Sequence, residues 1–220
     1  MASICADQRF SGGSHGTLIS LGCLSEPLAS HSVEATIAFL NASAGRMNPK
    51  QLATRWVVGP RHFDRFAAAV RRASVVLFHS FSTITRAREF ERGTPALERR
   101  FEFVQKCADS GLRSVLYIKP FLPGITANDG NAFLDLSKRA HASAIVVGSL
   151  FTDERVAAQL SHLIPPMHLG GFRVRDHPVG DTPRSEGESP TPAAAAFIER
   201  MRQSGLDVFT HSRDVFSSPE

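Results

Sequence analysis

The feature that most constrains the fold is a regular alternation of short apolar runs with longer amphipathic segments. The apolar runs are continuous and do not alternate with polar residues, as is typical of parallel strands covered by helices. The strands predicted from these runs are residues 17–22, 51–58, 74–80, 114–119 and 142–148. Five main strands of this kind predict an α/β protein with a parallel sheet, and both a TIM-like barrel and a doubly wound sheet fit the pattern.

Helix signals occupy the segments between the runs. Residues 32–44 place Val33, Ile37 and Leu40 on one face at helical spacing. Proline at a first helical position, an N-cap hydroxyl or early acidic residues mark further helix starts. These starts are Pro60 (to about Arg72), Thr94-Pro95 (to about Ser110), Thr126 with Asp129 as a cap, Asp153-Glu154, and Thr191-Pro192 (to about Ser204).

The chain divides into three parts by residue composition and hydrophobic pattern. We interpret residues 1–16 as an N-terminal segment, 17–164 as the β/α unit and 165–220 as a loop-rich C-terminal extension with one helix. The extension opens with six prolines and four glycines between Pro165 and Pro192, and residues 206–210 could add a short strand.

Composition narrows the class of protein. No apolar run reaches the roughly 18 residues of a membrane span, and the N-terminus lacks the features of a secretory signal, so we expect a soluble cytoplasmic protein. The net charge of +4 comes from scattered arginines, which is weak support for a nucleic-acid partner. Cys5, Cys23 and Cys107 lie far apart without a C-x-x-C spacing, which argues against a disulfide framework and a self-contained metal site.

Polar residues occur where the predicted strands end. In parallel α/β folds the ligand site lies at the carboxyl ends of the strands. The candidates at those positions are Ser25, Glu26, Thr54, Arg55, His79, Ser80, Ser82, Lys119, Gly148 and Ser149.

Three of these candidates allow more than one interpretation. Lys119 is a Schiff-base lysine, a cation for a ligand carboxylate or phosphate, or a rim lysine that reaches solvent. Glu26 either holds an amine or a ribose hydroxyl or is a solvated loop acid. His79 ends a buried run, where a core histidine with one satisfied nitrogen is favoured over a catalytic one.

Longer stretches of the sequence resemble a known family. The stretches are LISLGCLSEPL, QLATRWVVG, SVVLFHSFST, ERGTPALERRFEFVQKCADSGLRSVLYIKPFLPGITAND and AIVVGSLF. From about Gly16 to Leu163, and more loosely at HSRDVF near the end, the chain resembles the radical S-adenosylmethionine superfamily, particularly members similar to spore photoproduct lyase. The resemblance implies an incomplete, TIM-like partial (β/α) barrel with a [4Fe-4S] cluster that reduces S-adenosylmethionine to a 5′-deoxyadenosyl radical, with the protein orienting the cofactor and shielding the radical.

The resemblance also implies roles for the strand ends. Ser25 and Glu26 would lie near the methionine amino group, and His79, Ser80 and Ser82 would face the ribose or carboxylate. Lys119 would line the cavity, and residues 147–149, with Gly148 and Ser149, would meet the adenine through backbone groups. A small-molecule substrate would lie in the same cavity.

One part of the family pattern is missing. The family holds its cluster with a C-x3-C-x2-C motif after the first barrel strand, and this sequence has no such motif. The first clear strand here matches the family's second, so the chain is interpreted as truncated or diverged, without cluster ligands of its own. The alternatives are a barrel lyase or aldolase that uses Lys119, and a non-catalytic ligand-binding protein. An open barrel edge would be covered by the N-terminal segment or would favour a homodimer.

Overall fold

The computed structural model describes residues 6–23, 25–122, 124–142, 144–149, 151–152, 162, 173–174 and 191–217. Its strands are β1 (Ile19–Leu21), β2 (Lys50–Thr54), β3 (Val75–Ser80), β4 (Ser114–Phe121), β5 (Ala144–Ser149), β6 (Phe151–Thr152), β7 (Arg173–Val174) and β8 (Val208–Phe209). Its helices are α1 (Val33–Ser43), α2 (Pro60–Ala73), α3 (Ala87–Phe90), α4 (Leu97–Asp109), α5 (Gly130–Arg139) and α6 (Pro192–Gln203).

Six strands form one parallel sheet in the order β1-β2-β3-β4-β5-β8, while β6 and β7 pair separately. The prediction of a parallel sheet with five main strands is confirmed, and β8 adds a sixth strand within residues 206–210. The sheet is not closed, because β1 and β8 lie at its two edges. This open α/β sheet is consistent with the partial (β/α) barrel that the family resemblance implies.

Side chains of the sheet alternate between an outer and an inner face. On the outer face, Leu52 and Leu77 pack with Phe66 of α2 and Phe103 of α4, and a second outer cluster joins β4 and β5 to α5 and α6. On the inner face, an apolar cluster fills the space near the amino ends of the strands, with members Val76, Phe78, Val115, Ala144, Val146 and Val215. Polar side chains occupy the inner face beyond this cluster, toward the carboxyl ends.

Residues before β1 contact the amino end of the sheet. Thr17 N donates to Ser11 O at 2.8 Å, and the Asn48 amide donates to the carbonyl oxygens of both residues. Arg213 donates to His15 O at 3.3 Å, so the C-terminal turn and the N-terminal segment meet here. Among the described residues, no helix is long and apolar enough to cross a bilayer.

Two predicted helix starts are wrong. The helix expected at Thr94-Pro95 begins at Leu97, and the Thr94 hydroxyl donates to Glu91 O instead of capping it. Thr126 and Asp129 do not form a capping pair. They lie in a 3-10 turn, Thr126–Asp129, and their side chains bind the segment that follows β3.

Other sequence predictions agree with the structure or fall outside it. α6 begins at Pro192, and the Thr191 hydroxyl accepts from Ala194 N at 3.3 Å, as expected of an N-cap. The helix predicted at Asp153-Glu154 and most of the loop predicted from Pro165 to Pro192 lie outside the described residues.

Candidate functional site

A pocket of about 350 Å³ opens at the carboxyl ends of the first four strands. Charged side chains from β4, from the residue after β2 and from the loop after β1 surround its mouth, while the amide of Gln51 lies deeper. Its lining residues are Gly22, Cys23, Glu26, Gln51, Ala53, Thr54, Arg55, Ser80, Tyr117, Lys119 and Pro120. The size suits one small organic ligand.

Glu26 is the acid among the described residues that line the pocket, and neighbouring groups fix its carboxylate. The Thr54 hydroxyl donates to Oε1, and the Arg55 backbone N–H donates to Oε2 at 3.1 Å. The Thr54 hydroxyl in turn accepts from Trp56 N at 2.9 Å. Each carboxylate oxygen keeps a further lone pair, so the group can accept a hydrogen bond from a cationic ligand without moving.

The carbonyl of Lys119 joins two strands at the mouth of the pocket. Arg55 Nη2 donates to it at 3.2 Å, and the Ser80 hydroxyl donates at 3.3 Å. The β4–β5 register shifts between Ile118 and Phe121, at the cis Lys119-Pro120 peptide. Proline has no N–H to give to the ladder, so the strand changes pairing where its side chains face the pocket.

Two glycines leave room for the pocket and its lysine. Gly148 lies against the Lys119 side chain, because a Cβ built on Gly148 would come within 2.8 Å of Lys119 Cδ. The Lys119 ammonium lies 5.7 Å from the Tyr117 ring centroid, over the ring. Gly22 adopts a φ of +96°, and a Cβ there would collide with the Ala53 carbonyl. Both positions therefore favour glycine for reasons of space or backbone conformation.

A buried ion pair supports the same wall of the pocket. Arg100 of α4 donates to the Glu91 carboxylate and to Ser80 O, and its guanidinium lies 4.4 Å from the Phe81 ring centroid. Glu91 also accepts from Ser82 N at 2.5 Å and lies 3.7 Å from Arg55 Nε. Ser82 thus stabilises the pocket wall through its backbone N–H, and it does not line the pocket.

The structure brings some predicted site residues together and separates others. Glu26, Thr54, Arg55, Ser80 and Lys119 line one pocket. Ser25 is exposed beside it, and Gly148 lies behind Lys119. Ser149 ends β5, and its side chain is outside the described part of the structure.

His79 points to the outer face, away from the pocket. It is 3% exposed, its Nε2 lies 3.2 Å from the Ser114 hydroxyl, and its ring meets Phe103 edge-on at 5.7 Å. Burial, with a smaller contribution from the Arg100 charge, lowers the His79 pKa from 6.5 to about 3. The geometry is that of the core histidine considered above.

His79 should make the protein less stable as the pH falls below 6.5. Between pH 6.5 and about 3 the unfolded chain binds a proton at this residue and the folded chain does not, so stability falls by about 1.4 kcal/mol per pH unit. Urea unfolding at pH 7, 6 and 5 measures the effect. Between pH 7 and pH 5 this residue should lower the free energy of unfolding by about 2 kcal/mol, and His79→Gln should remove that contribution. His31→Gln, at an exposed position, is the control. A wild-type and His79→Gln difference that stays constant with pH would contradict the assignment.

The pocket also contains residues that the sequence did not indicate. Gln51, Tyr117 and Cys23 line it, yet the first two lie inside apolar runs and do not follow a strand end. A sequence signal existed for Gln51, since a polar residue that shares strand parity with Ala53 and Arg55 belongs to the inner face.

The cysteines do not fit the ligand set of an iron–sulfur cluster. Cys23 is exposed at the pocket, while Cys107 is buried on α4, and burial raises the pKa of its thiol to about 12. Cys5 lies outside the described residues. Within the described part of the chain, no three His, Cys, Asp or Glu side chains are grouped to hold a metal. The described thiols, those of Cys23 and Cys107, therefore supply no cluster site.

Comparisons with solved structures identify the fold. Spore photoproduct lyase complexed with dinucleoside spore photoproduct matches with a TM-score of 0.63 at 12% identity, over 88% of this chain and 60% of that chain. A domain of pyruvate-formate lyase-activating enzyme from Bacteroides vulgatus matches with a TM-score of 0.57 at 14% identity, over 92% of this chain and 100% of that domain. Streptococcus suis SuiB matches with a TM-score of 0.51 at 9% identity, over 88% of this chain and 38% of that chain.

These three proteins are radical S-adenosylmethionine family members. This chain has the radical S-adenosylmethionine fold. It spans about three fifths of the length of the spore photoproduct lyase structures. Neither the family models nor the curated protein sequences give a match. The resemblance seen in the sequence is confirmed at the level of fold.

Proposed function

We propose that the pocket binds S-adenosylmethionine and that the chain is a radical S-adenosylmethionine-like protein. The observation that carries the proposal is the placement of a fixed carboxylate, Glu26, in the same pocket as the cationic side chains of Arg55 and Lys119. An amino-acid end group carries an ammonium and a carboxylate, which these charges complement. A spore photoproduct lyase variant of the same fold was solved with bound AdoMet and dinucleoside spore photoproduct.

This chain's residues have defined tasks in that proposal. Glu26 accepts hydrogen bonds from the ligand ammonium, while Lys119 and Arg55 attract its carboxylate. The Lys119 carbonyl, held by Arg55 and Ser80, keeps the exit of β4 in place. The ligand would lie against Tyr117 and close to the backbone at Gly22, where no side chain blocks it.

An iron–sulfur cluster would supply the electron that cleaves S-adenosylmethionine, and the described thiols, those of Cys23 and Cys107, do not form its ligand set. We propose two alternatives, which iron analysis and the neighbouring genomic sequence can distinguish. Either a C-x3-C-x2-C segment lies outside these 220 residues, or the protein has diverged into one that binds the ligand without radical chemistry. Anaerobic reconstitution of this chain alone should give little iron and sulfide, and a stoichiometric [4Fe-4S] signal would overturn that expectation.

The substrate is proposed as a small molecule beside the cofactor, with a nucleic-acid fragment as one class to test because of the dinucleoside complex of spore photoproduct lyase.

The lyase and aldolase alternative through Lys119 is not favoured by the fold comparisons. Borohydride trapping with a carbonyl substrate and mapping to Lys119 would reverse that order.

Glu26→Gln should weaken S-adenosylmethionine binding at least tenfold, since a neutral amide no longer compensates the ligand ammonium, and tenfold corresponds to about 1.4 kcal/mol. Isothermal titration calorimetry measures the change. Wild type should also prefer S-adenosylhomocysteine to methylthioadenosine, which lacks the amino-acid group, and Glu26→Gln should lose that preference.

The exposed Glu102 of α4 provides the control, because Glu102→Gln removes a charge of the same type far from the pocket. A melting temperature within a few degrees of wild type shows that Glu26→Gln is folded. Equal affinities of wild type and the folded Glu26→Gln variant would count against the proposed function.

A further inference from the structure

Gln51 places an amide at the floor of the pocket. It precedes Arg55, the residue that follows β2, by four positions and lies about 13 Å deeper along the inner face. It pairs in register with Ser20 on one side and with Val76, a member of the inner apolar cluster, on the other. The residue is 6% exposed, although it lines the pocket.

The two ends of this amide differ in their partners. Nε2 donates to the Ser20 hydroxyl at 2.6 Å. Within the described residues, Oε1 is buried and has no hydrogen-bond donor. A buried carbonyl oxygen in that state lowers the stability of a protein, and native structures keep few of them.

A second atom of the same kind lies in the same pocket. The buried side-chain polar atoms that lack a hydrogen bond among the described residues are Gln51 Oε1 and Arg55 Nε, and both residues line the pocket. Arg55 Nε has an ion-pair partner in Glu91 at 3.7 Å, whereas Gln51 Oε1 lies at the floor without a donor. Their shared location indicates that a ligand completes the polar groups of this pocket.

The chemistry of the floor selects a neutral donor. Glu26 at the mouth is the acid among the described lining residues, so an ammonium at Gln51 would be a desolvated charge without a carboxylate beside it. A hydroxyl or a neutral N–H group donates to an amide oxygen without that cost. The pocket volume of about 350 Å³ is that of a single ligand that reaches from mouth to floor.

We infer that Gln51 determines specificity by accepting a hydrogen bond from the nucleoside portion of the ligand, through a ribose hydroxyl or the adenine amino group. The inference rests on the proposed function, which places the amino-acid end of the ligand at Glu26 and leaves the nucleoside end for the floor.

Gln51→Leu tests the inference against a merely structural role. Leucine removes the donor-less oxygen and fills the floor, so the melting temperature without ligand should stay the same or rise, while S-adenosylmethionine affinity should fall about tenfold. A structural role would instead lower the melting temperature. Gln105→Leu, on the exposed face of α4, is the matched control and should change neither quantity.

Ligand analogues identify the donor and do not depend on the folding of a variant. Wild type should lose about tenfold in affinity for an S-adenosylmethionine analogue that lacks either the ribose hydroxyls or the adenine amino group, and Gln51→Leu should not distinguish that analogue from the parent. The inference is overturned if wild type and Gln51→Leu bind S-adenosylmethionine equally well. It is also overturned if the substitution lowers affinity by the same factor for S-adenosylmethionine and for both analogues. Either result leaves the proposed function standing. Failure of wild type to bind S-adenosylmethionine would overturn both.

Discussion

Arg100→Met should lower the free energy of unfolding by about 3–5 kcal/mol, which is typical of breaking a buried ion pair by removing one partner. Arg100 is 3% exposed, Glu91 is 6% exposed, and the guanidinium donates to both the Glu91 carboxylate and Ser80 O. Methionine leaves that carboxylate buried, with Ser82 N and Arg55 as its remaining partners among the described residues. Urea unfolding at pH 7 measures the loss.

The neighbouring Arg99 offers a matched control, because it is exposed on the same helix. Arg99→Met should change stability by no more than about 0.5 kcal/mol. The double variant E91L/R100M removes both charges and should recover a large part of the loss, since a buried pair can be replaced by apolar side chains at little cost. If Arg100→Met is as stable as Arg99→Met, the pair does not hold this wall together.

The same pair links stability to the proposed ligand site. Arg100 holds the Ser80 carbonyl, while the Ser80 hydroxyl donates to the Lys119 carbonyl in the pocket wall. Glu91 lies 3.7 Å from Arg55, whose guanidinium donates to that same carbonyl. We therefore expect Arg100→Met, where still folded, to weaken S-adenosylmethionine binding as well, although Arg100 does not line the pocket.

The sheet could be predicted because its signals are local. Each strand is a continuous apolar run, and parallel strands bring their carboxyl ends to one edge, so Glu26, Arg55 and Lys119 could be grouped before any coordinates. What the runs do not reveal is which side of the sheet each residue faces. His79 and Ser80 are adjacent at the end of β3, yet the first packs against Phe103 and the second lines the pocket.

Interactions between distant segments account for most of the features that the sequence did not predict. Arg100 lies in the charged stretch ERRFEF, which is typical of an exposed helix face, and its burial depends on Glu91 and Ser80 from other elements. Thr126 and Asp129 have the spacing of a capping box, but their side chains bind a segment more than 40 residues earlier. A local pattern cannot distinguish these outcomes, because the competing partners are set by strand order.

Asp129→Ala should destabilise the protein by about 3 kcal/mol, since it leaves several donors without their charged acceptor. Asp129 is 1% exposed, and its carboxylate accepts from the Thr83 hydroxyl at 2.5 Å, Ile84 N at 2.7 Å and the Thr85 hydroxyl at 2.6 Å. Asp129→Asn should lose a similar amount, because its NH₂ group would face donors. Urea unfolding measures both variants.

Asp135 is the control for this prediction, because it is exposed on α5, the helix that follows Asp129. Asp135→Ala should stay within about 0.5 kcal/mol of wild type. Hydrogen exchange provides a second readout, and the amides of Ile84 and Thr85 should exchange faster in Asp129→Ala. Unchanged exchange at these two amides would show that another contact orders the segment.

The expected size of this effect follows from what Asp129 connects. Together with Thr126, which donates to Ser82 O at 2.6 Å, it ties the segment after β3 to the turn after β4. The strands end at the pocket, so the bonds that join their exits also fix the distance between Ser80 on one strand and Lys119 on the next. The carboxylate satisfies backbone and hydroxyl donors at once, and it adds to the apolar contacts of Phe81 and Phe121 in the cluster that joins the same two strand exits. Loss of Asp129 should therefore loosen the mouth of the pocket before it unfolds the sheet, and S-adenosylmethionine affinity should fall at urea concentrations where the sheet is still intact.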